Sequence, residues 1–263
     1  MMQDGLDAEG YIETCGSVER IPPVFRPAVD GSIALLTSTL EARLHGLYLC
    51  GSVATGRARL GHSDIDLLVI FRDSVSDRDQ AEIRHVANTL STSCHSLVRE
   101  VGLGAVSLRE ALAEEGLPGW GCFIKHLCVC LAGQDIRPLL PRFRPSIEVA
   151  RGFNGDYPSV TQAGLQELAE ANQTEIAQSL MRRICRKTVR TGFSLVMPRL
   201  GCWTTDLEPS VEYFCRYYPE KRTSMSLILG WIQRPPENRE EFLRTIEPLA
   251  DWLSIEFDRV IRD

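Results

Sequence analysis

Apolar residues in the first half of the chain follow two different periods. From Ser32 onward, isoleucine and leucine side chains recur at helical spacing, and Gly46 supplies a stop signal. Residues 47–50 and 64–71 are instead short, continuous apolar runs that are rich in branched and aromatic side chains. Such runs are typical of buried strands. The pattern therefore predicts one helix followed by two strands.

A second helix, a third strand and further helices follow along the chain. The second helix is predicted to begin at Ser76 or Asp77, and residues 96–107 return to strand character. The segment SLRE at 107–110 is a capping box, which opens another helix. The segment WGCFIKHLCVCLAG continues in a helical pattern. This order predicts a small mixed sheet with helices packed on it.

Beyond about residue 140 the hydrophobic pattern is helical throughout. The proline-rich segment RPLLPRFRPS has the composition of a linker. The helical periods that follow it cover roughly 160–180, 180–196, 209–217, 222–233 and 238–261. The predicted organisation is therefore an N-terminal arm over residues 1–30, an α/β domain over residues 31–145 and an all-helical domain over residues 155–263.

The charge balance limits the partners that the protein can have. The 263 residues include 35 acidic and 29 basic side chains, which gives a formal net charge of −6. Proteins that coat nucleic acid normally carry a basic excess, so the balance argues against a nucleic-acid partner. Arg137, Arg142, Arg144 and Arg151 leave room for a local basic strip. An acidic balance suits a cationic small-molecule substrate.

The composition also bears on location. No apolar stretch approaches the roughly 20 residues that are needed to cross a bilayer, and the first residues, MMQDGLDAEGYIET, are too polar for a signal peptide. The nine cysteines are odd in number and follow no regular spacing, which favours reduced thiols over disulfides. We therefore expect a cytoplasmic protein with no membrane partner.

One cysteine-containing segment has a spacing that suggests zinc. His126, Cys128 and Cys130 alternate along the chain. In the predicted helix, alternate residues diverge by about 200° and cannot converge on one ion. We therefore expect no zinc site there.

Two carboxylates one residue apart open the second predicted strand. Asp64 and Asp66 fall on one face of a strand, about 6–7 Å apart at their roots, where they repel each other and need cations. Magnesium is the expected cation because it prefers hard oxygen ligands that it shares with substrate phosphates. Two carboxylates on one face suit two ions about 3.5–4 Å apart. Upstream, Gly51 lets phosphate oxygens approach the backbone, and Ser52 adds a hydroxyl donor.

The complete segment GSVATGRARLGHSDIDLLV, residues 51–69, resembles the signature of the DNA polymerase β-like nucleotidyltransferase superfamily. That signature is a Gly-Ser pair, a spacer of eleven residues here, and then Asp-apolar-Asp. The resemblance implies magnesium-dependent transfer of a nucleoside monophosphate. It also implies a third carboxylate on a neighbouring strand, as a metal ligand or as the base for the attacking hydroxyl. Glu100 is the candidate; the alternative is a solvent-facing position paired with Arg99 or Arg72.

Within the superfamily the layout is most similar to bacterial aminoglycoside adenylyltransferases of the streptomycin and spectinomycin type. The similarity covers about residues 45–105, where Arg99-Glu100-Val101 stands in place of that family's Leu-Glu-Val. The resemblance implies transfer of AMP from ATP to a hydroxyl acceptor, an aminoglycoside in that family, with release of pyrophosphate and a role in antibiotic resistance. Two alternatives remain open: a toxin-type nucleotidyltransferase acting on tRNA or protein, and a non-catalytic nucleotide-binding or regulatory module.

A basic helix face follows in the second half of the chain. Arg183, Lys187 and Arg190 share one face, with Arg182 and Arg186 beside them. One interpretation is that this face closes a cleft and neutralises the triphosphate and the departing pyrophosphate. The other is a solvated face balanced by the preceding acidic stretch, GLQELAEANQTE.

Overall fold

The computed structural model describes residues 5–261. They divide into two compact units, which we call the α/β unit and the helical unit. The α/β unit comprises Glu13–Phe143, and the helical unit comprises the described residues up to Ile12 together with those from Arg144 onward. Residues 1–30, predicted as a single arm, are thereby divided between the two units.

A mixed sheet forms the centre of the α/β unit, as predicted, but it has four strands where three were predicted. Its strands are Leu44–Cys50 (β1), Ile65–Phe71 (β2), Val101–Ser107 (β3) and Val129–Gly133 (β4). Their order across the sheet is β3-β2-β1-β4; β2 and β3 run parallel, and β1 is antiparallel to both β2 and β4. The prediction of a helix through residues 120–133 is wrong in its second half. A short apolar run is compatible with a helix or a strand, and in this segment hydrogen-bonded pairing with β1 makes it a strand.

The helices of this unit begin at local signals in the sequence. They are Arg26–Leu40 (α1), Gly51–Ala54 (α2), Asp77–Ser93 (α3), Leu108–Leu112 (α4) and Cys122–Leu127 (α5). The predicted capping box at Ser107 is present and caps α4, and Ser76, one of the two predicted starts of α3, also forms a capping box. Helix α1 begins earlier than the predicted Ser32 because a proline lies in its first turn, where the missing N–H costs nothing.

Alternate residues of β1 and β2 enter two separate hydrophobic cores. One core is packed with residues of α1 and α3 and takes Leu47 from β1. The other is packed with residues of α4 and α5 and takes Cys50 from β1 and Leu68 from β2. Because successive strand residues point to opposite faces, Asp66 projects from the same face as Leu68, at the end of the strand where that core stops.

The helical unit contains six α-helices among its described residues. They are Ile147–Asn154 (α6), Tyr157–Glu170 (α7), Thr174–Leu200 (α8), Leu207–Tyr217 (α9), Arg222–Gln233 (α10) and Arg239–Ile261 (α11). The all-helical prediction is confirmed for this part of the chain, although α6, which directly follows the proline-rich segment, was not predicted. None of the helices between residues 5 and 261 combines the length and the apolar composition that crossing a bilayer requires.

His45 is buried at an irregularity of the sheet. It is the extra residue where the register between β1 and β2 shifts, and it is 6% exposed. Within residues 5–261, neither of its ring nitrogens has a hydrogen-bond partner. Burial, with a smaller contribution from the positive charge of Arg72, lowers the pKa of His45 below its usual value. The folded state therefore disfavours the imidazolium.

We predict from this that acidification destabilises the protein through His45. As pH falls below about 6.5, the unfolded chain takes up a proton that the folded chain refuses, so the free energy of unfolding decreases until pH reaches the lowered pKa. One group contributes at most about 1.4 kcal/mol per pH unit. Urea unfolding at pH 7.5 and at pH 5.5 measures the loss. The variant His45→Leu should show a smaller loss; an equal loss would contradict the prediction.

Candidate active site

The carboxylate of Asp66 lies between two glycines. Asp66 pairs with Cys50 on β1 and with Gly102 on β3. A Cβ atom at Gly51 would collide with Oδ2 of Asp66, and a Cβ atom at Gly102 would lie 3.2 Å from Oδ1. The carboxylate therefore keeps its position because neither flanking residue carries a side chain. Sequence reasoning found Gly51 and missed Gly102, although a glycine inside a strand is a known sign of close approach.

Gly51 is required for a second reason. Its φ is +73°, in the left-handed region that residues with a Cβ atom rarely adopt. This conformation turns the chain sharply from β1 into α2. Ser52 follows and is half-buried; its carbonyl oxygen accepts a hydrogen bond from the N–H of Arg57 at 2.9 Å. The predicted Gly-Ser turn thus lies directly beside Asp66.

Asp64 forms an ion pair with Arg99. The Nε–Oδ1 distance is 3.2 Å and the Nη2–Oδ2 distance is 3.0 Å, so the guanidinium engages both carboxylate oxygens. Arg99 was one of two arginines predicted to pair with a solvent-facing Glu100, but it pairs with Asp64. A sequence signal existed: arginine occupies the position where the similar family has leucine. Asp64 is thus partly neutralised by a residue of its own domain.

Glu100 continues the ladder between β2 and β3. It is exposed, immediately precedes β3, and its carbonyl oxygen accepts a hydrogen bond from the N–H of Ile65 at 3.1 Å. Since Ile65 pairs with Val101, the register places Glu100 beside Asp64. Alternation along the strand gives Glu100 the same face as Gly102, which borders Asp66. The predicted third carboxylate therefore occupies a suitable position; its catalytic role stays a prediction.

The basic helix face lies on α8 in the helical unit. Nη2 of Arg183 is 2.6 Å from Oε2 of Glu167, and Nζ of Lys187 is 2.7 Å from Oδ1 of Asp156. Arg190 is exposed. Glu167 belongs to the acidic stretch that the alternative interpretation named. Nucleotide binding by Arg183, Lys187 and Arg190 stays a prediction.

The chemistry of the donor atoms at Asp64 and Asp66 fits magnesium. Among residues 5–261, no group of three or more His, Cys, Asp or Glu side chains is arranged to hold a metal ion. Magnesium is usually held by one or two carboxylates and takes its other oxygens from water and substrate phosphates. Two aspartates beside a glycine turn that is packed directly against Asp66 Oδ2 match that pattern.

The segment that carries this geometry matches a known family. Residues 38–102 match the model of the nucleotidyltransferase domain. This segment is similar to nucleotidyltransferase domains. It contains the Gly51-Ser52 turn, both aspartates and Glu100, and the match supports nucleotidyl transfer as the general chemistry.

A solved structure has a similar fold. The crystal structure of spectinomycin adenyltransferase AAD(9) from Enterococcus faecialis, with ATP and spectinomycin, matches with a TM-score of 0.54 at 15% sequence identity. The match covers 89% of this chain and 99% of that chain. The predicted resemblance to aminoglycoside adenylyltransferases is thus confirmed for the fold of the nucleotidyltransferase domain and of the helices that follow it. A search of curated proteins found no match.

Proposed function

We propose that the protein is a magnesium-dependent adenylyltransferase that moves AMP from ATP to a hydroxyl group of a small-molecule acceptor and releases pyrophosphate. The observation that carries the proposal is the Asp66 carboxylate held between Gly51 and Gly102, with Asp64 two residues away, inside a nucleotidyltransferase domain. The adenylyl group and the small acceptor are supported by the similar fold of a protein whose structure holds ATP and spectinomycin.

Each residue of the candidate active site has its own role in the proposed reaction. The acceptor oxygen forms a bond to the α-phosphorus, the bond from that phosphorus to pyrophosphate breaks, and the proton of the acceptor hydroxyl passes to Glu100. Asp64 and Asp66 hold magnesium, which when bound supplies positive charge against the phosphates. The Gly51-Ser52 turn binds the phosphate oxygens, and the Ser52 hydroxyl donates to one of them.

The acceptor class follows from charge. The formal net charge of −6 favours a cationic small molecule such as an aminoglycoside over tRNA. Within residues 5–261 the nine cysteines are thiols that form no disulfide, which supports a reducing, cytoplasmic location. An aminoglycoside acceptor would make the protein an antibiotic-resistance enzyme.

An acceptor panel tests the proposal. The protein is incubated with magnesium and ATP labelled at the α-phosphate, in separate reactions with aminoglycosides, with total tRNA and with no added acceptor. We expect label in an aminoglycoside. Label in tRNA or in the protein itself would identify the toxin-type alternative. Binding of ATP without label transfer in any reaction would identify a non-catalytic module.

Replacement of Glu100 separates its two predicted roles. If Glu100 is the base, Glu100→Gln lowers kcat by about 10²–10⁴-fold while ATP affinity stays unchanged. If Glu100 is a metal ligand, the variant also weakens magnesium-dependent ATP binding. Steady-state kinetics and calorimetry measure the two quantities. A variant equal to wild type in both would return Glu100 to the solvent-facing, non-catalytic interpretation.

A further inference from the structure

A guanidinium group engages both oxygens of one predicted metal-binding carboxylate. Arg99 donates from Nε to Asp64 Oδ1 at 3.2 Å and from Nη2 to Oδ2 at 3.0 Å. The Asp64 side chain is 12% exposed and that of Arg99 is 33% exposed. Hydrogen bonds between two charged groups in this forked arrangement are among the stronger ones in proteins. The pair lies entirely within the nucleotidyltransferase domain.

The same oxygens cannot serve Arg99 and a divalent cation equally well. Magnesium binds oxygens directly, at about 2.0–2.1 Å. A cation at that distance from Asp64 would lie close to the guanidinium and be repelled by its charge. The pair must therefore weaken or separate when a divalent cation binds.

The backbone around Arg99 allows the side chain to move alone. The N–H of Arg99 donates to the carbonyl oxygen of Ser63 at 3.2 Å, and the next residue continues the ladder with β2. The main chain is thus fixed, while one third of the side chain faces solvent. Rotation about side-chain bonds is enough to release Asp64.

We propose that Arg99 is a resident counter-cation of Asp64, and that it releases the carboxylate when a divalent cation binds together with nucleotide. This inference rests on the proposed function, in which Asp64 holds magnesium. Arg99 is a positioning residue that acts through Asp64. The ion pair between Arg99 and Asp64 has two consequences. The positive charge of Arg99 makes the two neighbouring aspartates tolerable in the metal-free protein. Divalent cations bind weakly until nucleotide phosphates offer Arg99 another anion.

Binding of Mn²⁺ to the nucleotide-free protein tests the proposal without any catalytic assay. Electron paramagnetic resonance counts free and bound Mn²⁺ for wild type, Arg99→Leu and Arg99→Lys. We expect Arg99→Leu to bind Mn²⁺ at least about tenfold more tightly, which corresponds to about 1.4 kcal/mol. Arg99→Lys keeps the charge and should return the affinity most of the way to wild type. Unchanged or weaker binding by Arg99→Leu would overturn the proposal.

Two further variants separate the possible explanations. Arg59 is an exposed arginine of the preceding loop, and its N–H donates to Ser63 Oγ; Arg59→Leu makes the same charge change and should alter Mn²⁺ affinity much less. An equal gain in both leucine variants would overturn the specific role of Arg99. If Asp64→Asn binds Mn²⁺ like wild type, the proposed metal site itself fails. If Asp64→Asn loses Mn²⁺ while Arg99→Leu gains nothing, only the role of Arg99 fails.

Thermal unfolding distinguishes this role from a merely structural one. In EDTA, Arg99→Leu should melt at a lower temperature than wild type, because two aspartates lose a neighbouring cation. Added Mn²⁺ should then raise its melting temperature more than it raises that of wild type, by mass action. A melting temperature that falls in EDTA and does not respond more strongly to Mn²⁺ would overturn the proposal.

Discussion

Asp66→Asn should abolish nucleotidyl transfer while leaving the fold intact. Asparagine has the shape of aspartate and fits between Gly51 and Gly102, but it lacks the negative charge that holds magnesium. We expect the rate to fall by at least a hundredfold, equivalent to about 2.7 kcal/mol in the activation barrier. Transfer assays measure the rate, and circular dichroism checks the fold.

Asp73→Asn is the matched control for this experiment. Asp73 is exposed and lies just beyond the end of β2, so the same chemical change is made outside the site. Its rate should stay near wild type. If Asp66→Asn retains more than about one tenth of the wild-type rate, under about 1.4 kcal/mol in barrier, the metal assignment is contradicted.

Asp64→Asn should reduce the rate of transfer as strongly as Asp66→Asn, but it should affect the stability of the protein differently. From the sequence, repulsion between the two aspartates predicts that either asparagine leaves the free energy of unfolding unchanged or raises it. The structure changes this expectation for Asp64, because Arg99 pairs with it. We now expect Asp64→Asn to lower the free energy of unfolding in metal-free protein, measured by urea unfolding. A more stable variant would show that the ion pair contributes nothing.

Gly51→Ala should reduce transfer nearly as strongly as loss of Asp66. The left-handed conformation at +73° costs alanine about 1–2 kcal/mol of stability. In addition, the new methyl group would collide with Oδ2 of Asp66 and displace the carboxylate. We therefore expect a large fall in kcat together with weaker Mn²⁺ binding, measured by kinetics and by paramagnetic resonance.

Gly61 provides the control that separates the backbone strain of a positive φ from the collision with Asp66. Its φ is +70°, and a Cβ atom there would have no described neighbour within 4 Å. Gly61→Ala should therefore lose similar stability and keep its activity and its Mn²⁺ affinity. Equal activity in the two alanine variants would contradict the view that Gly51 is there to make room for Asp66.

Local signals explain what could be predicted from the sequence. The capping boxes at Ser76 and Ser107 begin α3 and α4 where expected, because a cap depends only on residues a few positions apart. Asp64, Asp66 and the Gly51-Ser52 turn could be singled out for the same reason, because they lie close together in the sequence. Glu100 was predicted inside a strand over residues 96–107; β3 begins only at Val101, and the parallel register of Ile65 with Val101 places Glu100 directly before it.

Features that depend on distant residues could not be predicted. Strand β4 was read as helix because its partner, β1, lies some eighty positions earlier in the chain. The contact of Gly102 with Asp66 and the pairing of Arg99 with Asp64 exist only once β3 lies beside β2. Both contacts join residues that are 35 or 36 positions apart.

The fate of two phosphate labels tests the central claim most directly. Parallel reactions contain magnesium, the acceptor found in the panel, and ATP labelled at either the α- or the γ-phosphate. Nucleotidyl transfer predicts that the α-label becomes attached to the acceptor and that the γ-label leaves in pyrophosphate, with both events lost in Asp66→Asn and in EDTA. A γ-label on the acceptor, or α-label transfer that Asp66→Asn retains, would contradict the account.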